Sequence, residues 1–145
     1  MTEVAFHFNA PDKLVYACRF TRKALRHGAR VVITAATPAL EQLDRMLWEM
    51  HPSDFVAHCR ADADRALLQA SPVVLAEDAG QAPLRDLLLN LGQTVPPQFA
   101  AFARLVEVVS LADEDRAQAR QRWRHYSGLG YAIVRHDLVL NQGVS

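Results

Sequence analysis

Short runs of aliphatic and β-branched residues alternate with amphipathic segments along most of this 145-residue chain. The run Arg30–Thr34 is of the first kind, and Lys13–His27 is of the second, with apolar residues at steps of three and four. Uninterrupted apolar runs are typical of strands buried on both faces of a parallel sheet, with helices as the crossovers. The alternation therefore predicts a three-layer α/β/α fold with a mostly parallel sheet.

The same patterns place further elements along the chain. The predicted strands are Val4–Phe8, Arg30–Thr34, Pro72–Leu75, Leu105–Val109 and Tyr131–Val134, and the helical segments are Lys13–His27, a helix from Thr37 onward, Asp62–Gln69, Gln98–Ala103 and Asp113–Ser127. No repeat or linker interrupts them. We expect one domain over residues 1–145, with an ordered core at about 4–137 and a C-terminal tail that frays.

The turn after the first strand excludes the usual nucleotide chemistry of such folds. A dinucleotide site needs glycines there so that the backbone can approach a pyrophosphate, and this turn reads Asn9–Asp12. No GxxxxGK[ST] loop is present elsewhere in the sequence. The prediction is a Rossmann-like fold without the glycine motif and with no cofactor.

Charge and cysteine content restrict the partners and the compartment. Sixteen Lys and Arg balance sixteen Asp and Glu, so the whole chain has no field that would attract a polyanion, and any anion site must be local. Cations are concentrated without acids in two stretches, Lys13–Arg30 and Arg116–Arg135. Cys18 and Cys59 fit neither a zinc motif nor a disulfide framework, and no membrane span or leader is evident, so we expect a cytoplasmic protein.

Histidine and cysteine residues near the middle of the chain leave an enzyme hypothesis open. His51, Asp54, His58 and Cys59 lie close in sequence, but without a recognised metal-ligand spacing. A histidine among apolar residues is more often a hydrogen-bonded structural residue. We predict no catalytic residue and no metal, and the alternative is a small α/β enzyme that uses His51, His58 or Cys59.

The last long helix carries the sharpest candidate site. Arg116, Arg120, Trp123 and Arg124 recur at steps that place three guanidinium groups and an indole on one side of the helix. A solvated basic face with Trp123 as a core anchor is one interpretation. A pocket for an acidic peptide is another, because arginine grips carboxylates with two parallel hydrogen bonds. A third is a module that binds single-stranded nucleic acid directly.

A second candidate surface lies around the turn at Pro52. Trp48 and Phe55 stand seven residues apart there, and turns seldom need two large aromatic residues. Both could close the core beneath the loop. Alternatively they form an exposed anchor for a partner protein, since aromatic residues are enriched at interface centres.

A set of segments in fixed order resembles the DNA polymerase III chi subunit family. The segments are Leu47-Trp48, Phe55–His58, Pro72–Leu75, Asn90-Leu91, Glu107–Val109 and Arg120–Tyr126. The similarity runs from about Val4 to Asp137.

The resemblance implies a non-catalytic accessory subunit of the DNA polymerase III holoenzyme, a nucleotidyltransferase, that acts in DNA replication. It implies that Arg116, Arg120, Trp123 and Arg124 bind the acidic C-terminal tail of single-stranded DNA-binding protein, with Arg120 on the terminal carboxylate. It implies that Trp48 and Phe55 contact the psi subunit of the clamp loader or a repair helicase, and that contact with DNA is mainly indirect.

This chain departs from the family pattern between Val109 and Arg116, where it is shorter and more acidic. Leu111 and Ala112 are the candidates for the missing wall of the tail pocket.

Overall fold

The structure, a computed structural model, describes residues 1–49 and 57–141. The strands are β1 (Glu3–Ala10), β2 (Val31–Thr34), β3 (Cys59–Arg60), β4 (Val73–Ala76), β5 (Leu87–Asn90), β6 (Arg104–Ser110) and β7 (Ile133–Asp137). The α-helices are α1 (Lys13–Arg26), α2 (Thr37–Trp48), α3 (Arg65–Ala70), α4 (Asp113–Gly128) and α5 (Leu138–Asn141), and single 3₁₀ turns lie at Ala79–Gln81 and Phe99–Ala101.

All seven strands join one sheet in the order β3-β4-β2-β5-β6-β1-β7. Each neighbouring pair is parallel. The predicted α/β class is confirmed, and the described sheet is wholly rather than mostly parallel. In the register of the last three strands, Phe6 of β1 lies opposite both Glu107 of β6 and Arg135 of β7, so these side chains share one face of the sheet.

Alternate residues of the central strands build two separate cores. Val31 and Ile33 of β2 pack with α1 and α2 on the first face, and Val32 packs on the second face, where α4 contributes Tyr126. Because side chains of a strand alternate between faces, a strand apolar at every position must be covered on both sides. The three-layer arrangement follows directly from this pattern.

Local signals fix the limits of α1. The Asp12 carboxylate accepts hydrogen bonds from the backbone N–H groups of Leu14 and Val15, at 3.0 and 3.1 Å, which satisfies donors that the helix leaves free. After the helix, Gly28 adopts a φ of 85°, a conformation that favours glycine. The predicted helix Lys13–His27 is therefore confirmed to within one residue.

Some predicted boundaries were wrong. The expected helix at Gln98–Ala103 is a single 3₁₀ turn, and the strand β5 was not predicted because its three leucines have strong helix propensity. Burial on both faces of the sheet overrides that propensity. The last strand begins at Ile133, two residues later than predicted, after Gly130 turns the chain with a φ of 93°.

Candidate functional site

Ligands of doubly wound sheets bind where neighbouring strands send their connections to opposite faces. Here that point lies between β1, which leads into α1 on the first face, and β6, which leads into α4 on the second. An ion pair covers it: Lys13 Nζ lies 3.2 Å from Asp115 Oδ1 and donates to the Leu91 carbonyl at 2.9 Å. Asp115 also accepts from the Ser110 N–H at 2.7 Å. Although burial alone would raise the pKa of Asp115, the Ser110 N–H and Lys13 hold that pKa below its usual value.

A crevice of about 720 Å³ lies near the carboxyl ends of β2 and β5. Its lining includes residues 34–39 and 90–94. Glu77 is the charged residue of the described lining. With this carboxylate and no cation among the described residues of its lining, the crevice disfavours a phosphate ligand. Neither His58 nor Cys59 lines this crevice, so the enzyme hypothesis gains no support there.

A second cavity, of about 450 Å³, lies between α4 and the β1–β7 edge of the sheet. We call it the cationic groove, and it is lined by Phe6, Phe8, Val109, Arg116, Ala119, Arg120, Trp123, Arg124 and Arg135. All four residues singled out on the last helix are brought together here. Leu111 and Ala112, the candidates for the missing wall, are not among the described residues that line the groove, whereas Val109 is.

Aromatic rings form the floor of the cationic groove. The rings of Phe6 and Trp123 pack with centroids 5.0 Å apart, and Phe6 also contacts Tyr126 at 6.0 Å. Tyr126 is fully covered and Phe6 is buried at the bottom of the groove, whereas Trp123 is half-buried and more accessible. Trp123 is thus both a core anchor and a groove residue, so the two sequence interpretations of this side chain do not exclude each other.

The guanidinium groups around the groove lack counter-ions within residues 1–49 and 57–141. Arg116, Arg120 and Arg124 are exposed on α4, and none forms an ion pair or side-chain hydrogen bond with the described residues. Arg135 faces them from β7, with its guanidinium carbon 5.8 Å from the Phe8 ring centroid and 5.9 Å from that of Trp123. Such contacts orient a cation without neutralising it. The groove can therefore offer several free donors to an anionic ligand.

A buried polar network holds α4 against the sheet beneath this groove. The Glu107 carboxylate accepts from Arg122 Nε at 3.1 Å, from the Tyr126 hydroxyl at 2.6 Å and from Asn90 Nδ2 at 2.9 Å. Burial raises the pKa of Glu107, while Arg122 and these hydrogen bonds oppose that shift. Burial and the Glu107 charge raise the pKa of Tyr126, which keeps its hydroxyl as a donor.

The sequence patterns did not single out this network, although one signal was available. Glu107 interrupts an apolar strand run, and a charge at such a position needs a buried partner. Its partner Arg122 lies two residues from Arg120 on the helix, which turns the two side chains about 200° apart. Arg122 is accordingly 2% exposed and outside the cationic groove.

The structure describes only part of the surface predicted around Trp48 and Phe55. Trp48 ends α2 and is 63% exposed, so the interpretation that it closes the core is wrong. Its ring packs edge-on against His58 with centroids 5.4 Å apart, and His58 Nε2 donates to Asp44 Oδ1 at 2.8 Å. Phe55 lies outside the described residues.

The enzyme hypothesis can be compared with the structure for two of its residues. His58 is held by Asp44 and packed under Trp48, and Cys59 is a buried residue of β3. Across the described ranges, no group of three potential metal ligands comes together. His51 and Asp54 lie outside those ranges.

No described helix is long and apolar enough to span a bilayer.

Fold and site together define a doubly wound α/β protein whose candidate site is a groove between a helix and a strand rather than a nucleotide crevice. The family model described as DNA polymerase III chi subunit, HolC, matches residues 1–134. The chain is 32% identical to DNA polymerase III subunit chi of Pseudomonas aeruginosa over 143 residues, which cover 95% of this chain and 98% of the relative. The chain belongs to the DNA polymerase III chi subunit family.

Two further comparisons agree with the fold and the family. The Haemophilus influenzae DNA polymerase III subunit chi is 30% identical over 120 residues, covering 81% of each chain. Among solved structures, the C-terminal domain of S. cerevisiae Dbp5, bound to Gle1 and IP6, superimposes with a TM-score of 0.57. That match covers 94% of this chain and 90% of the other at 12% identity, so it shows a shared fold alone.

Proposed function

We propose that this protein is a non-catalytic accessory subunit that binds the acidic C-terminal tail of single-stranded DNA-binding protein in its cationic groove. The observation that carries the proposal is the convergence of Arg116, Arg120 and Arg124, which have no counter-ion among the described residues, beside a half-buried tryptophan. Unneutralised guanidinium groups beside an aromatic floor suit a ligand that is both anionic and apolar.

A peptide that ends in an apolar residue meets both requirements. Its terminal side chain can pack against Trp123 and Phe6, and its terminal carboxylate can take two hydrogen bonds from the neighbouring Arg120. Acidic residues earlier in the peptide extend along the remaining arginines. The size of the cavity, about 450 Å³, suits a few side chains rather than a long strand.

Single-stranded DNA is the competing ligand for the same groove. Sequence-independent binding of single strands needs a long cationic track and several stacking aromatic residues. Although Phe8 and Trp123 are both partly accessible there, the groove is a cavity of about 450 Å³ rather than a long track, and the whole chain carries no net charge. Both features favour the peptide over the oligonucleotide.

We further propose that Trp48 marks the surface that joins this protein to the psi subunit of the clamp loader or to a repair helicase. An indole that is 63% exposed and held edge-on by His58 is a pre-oriented anchor for a partner. The α2 helix packs on the first face of the sheet and α4 on the second. Two partners can therefore bind at the same time.

Fluorescence titration tests the main proposal. A labelled tail peptide and a labelled single-stranded oligonucleotide are titrated with the protein at physiological salt. We expect saturable binding of the peptide and at least tenfold weaker binding of the oligonucleotide. Preference for the oligonucleotide would overturn the assignment and favour the nucleic-acid module.

A further inference from the structure

Among the described residues that line the cationic groove, Arg135 is the one that belongs to the edge strand β7, and it is charged. Its position opposite Phe6 in the β1–β7 register turns its side chain toward α4 rather than toward α1. The groove therefore has a cationic wall on each side, one from the helix and one from the sheet edge.

The contacts of Arg135 hold its guanidinium group in place without using its donors. Its guanidinium carbon lies within 6 Å of the ring centroids of Phe8 and Trp123, as the 5.8 and 5.9 Å separations show. The guanidinium group forms no ion pair or hydrogen bond with the described residues. A guanidinium stacked on rings loses less conformational freedom on binding than one on a mobile stem.

An extended peptide places different side chains against the two walls of the cationic groove. Consecutive side chains of an extended chain point to opposite sides. Along α4, residues four apart are separated by about 6 Å, so Arg116 to Arg124 spans roughly 12 Å, or about four extended peptide residues. A tail lying along that wall presents alternate side chains to α4 and to β7.

We propose that Arg135 is a specificity-determining residue of the groove, and that it binds a side-chain carboxylate of the acidic tail while Arg120 binds the terminal carboxylate. This inference rests on the proposed function, because it assigns a role within the same site. The ligand it requires is a peptide with acidic side chains just before an apolar C-terminal residue.

A mutant cycle between protein and peptide tests the assignment. Wild type, Arg135→Gln and Arg120→Ala are each titrated with the tail peptide and with a peptide in which every aspartate is replaced by asparagine. We expect Arg135→Gln to weaken binding of the acidic peptide about tenfold, and to weaken binding of the asparagine peptide less than about twofold.

Two further variants separate charge from packing. Arg135→Met keeps an apolar stem over Phe8 and Trp123 but removes the charge, and Arg135→Lys keeps the charge. We expect the methionine variant to bind as weakly as Arg135→Gln and the lysine variant to recover part of the affinity. Arg19→Gln is the matched control, since Arg19 is an exposed arginine on α1, on the other face of the sheet.

Three results would overturn the inference alone: Arg135→Gln binding the acidic peptide as wild type while Arg120→Ala is impaired, an equal loss with both peptides, or full affinity in Arg135→Met. If wild type binds no tail peptide, the proposed function fails together with it.

Discussion

At the residue scale, the pair Glu107 and Arg122 shows how a charge can be kept inside an apolar sheet. Both side chains are at most 2% exposed, and their ion pair is completed by Tyr126 and Asn90. The desolvation cost of two buried charges can exceed their attraction, so the pair is not itself evidence of high stability. Removing one partner, however, leaves the other charge buried and uncompensated.

We predict that Arg122→Met lowers the free energy of unfolding by about 3–5 kcal/mol, because Glu107 loses its buried counter-ion. The double variant Arg122→Met with Glu107→Leu should recover much of that loss. Urea unfolding followed by circular dichroism measures both. A single variant as stable as wild type would show that the network does not hold α4 to the sheet.

His7 is the second residue whose burial has a measurable consequence. It is buried on β1 and hydrogen-bonded to the Tyr16 hydroxyl. Burial, followed by the charges of His136, Arg104 and Lys23, lowers the pKa of His7 from 6.5 to about 4. Between these values the unfolded chain binds a proton that the folded chain does not. The stability conferred by neutral His7 is therefore complete above pH 6.5 and is lost as the pH falls toward about 4.

We predict that the variant His7→Asn, which keeps a hydrogen-bond acceptor for Tyr16, loses most of this pH dependence. Wild type should lose about 3 kcal/mol more than the variant between pH 7 and pH 4, from a pKa lowered to about 4. Chemical unfolding at a series of pH values compares the two proteins. Parallel stability curves would show that His7 titrates normally in the folded state.

At the element scale, α4 presents different chemistry on two sides. Arg122 and Tyr126 reach the buried network, while Arg116, Arg120 and Arg124 line the cationic groove. Helical spacing was enough to predict which arginines share a side. It could not predict Arg135, because a groove residue on a separate strand depends on sheet order and register, and these involve contacts distant in sequence.

The strands show the same limit of prediction from the sequence pattern. The apolar runs of β2 and β4 predicted a parallel sheet buried on both faces, and the structure confirms it. The leucines of β5 did not reveal a strand, since leucine serves equally well in a helix and only the two flanking strands select the extended form.

The C-terminal end of α2 carries the clearest element-scale prediction. Because Trp48 is 63% exposed, we expect Trp48→Ala to change the free energy of unfolding by less than about 1 kcal/mol and to leave tail binding unchanged. Co-purification with the psi subunit or a repair helicase should be lost. Failure of the variant to fold would restore the interpretation that Trp48 belongs to the core.

At the scale of the whole molecule, balanced charge confines any electrostatic recognition to a local site. Sixteen cations offset sixteen acids, so attraction to an acidic tail must come from the cationic groove rather than from a general field.

The Debye screening length falls from roughly 14 Å at 0.05 M salt to roughly 4 Å at 0.5 M. We predict that tail affinity falls steadily over this range, as measured by fluorescence anisotropy. Affinity independent of salt would mean that the aromatic floor, and not the arginines, drives binding.

The most direct test of the central claim compares wild type with Arg120→Ala in titrations of the same labelled tail peptide. Arg120 is exposed on α4, outside the buried network, so the variant should fold as wild type does. We predict at least a tenfold loss of affinity in the variant, with Arg19→Gln unchanged. Equal affinity of Arg120→Ala and wild type would contradict the assignment of the groove as the tail-binding site.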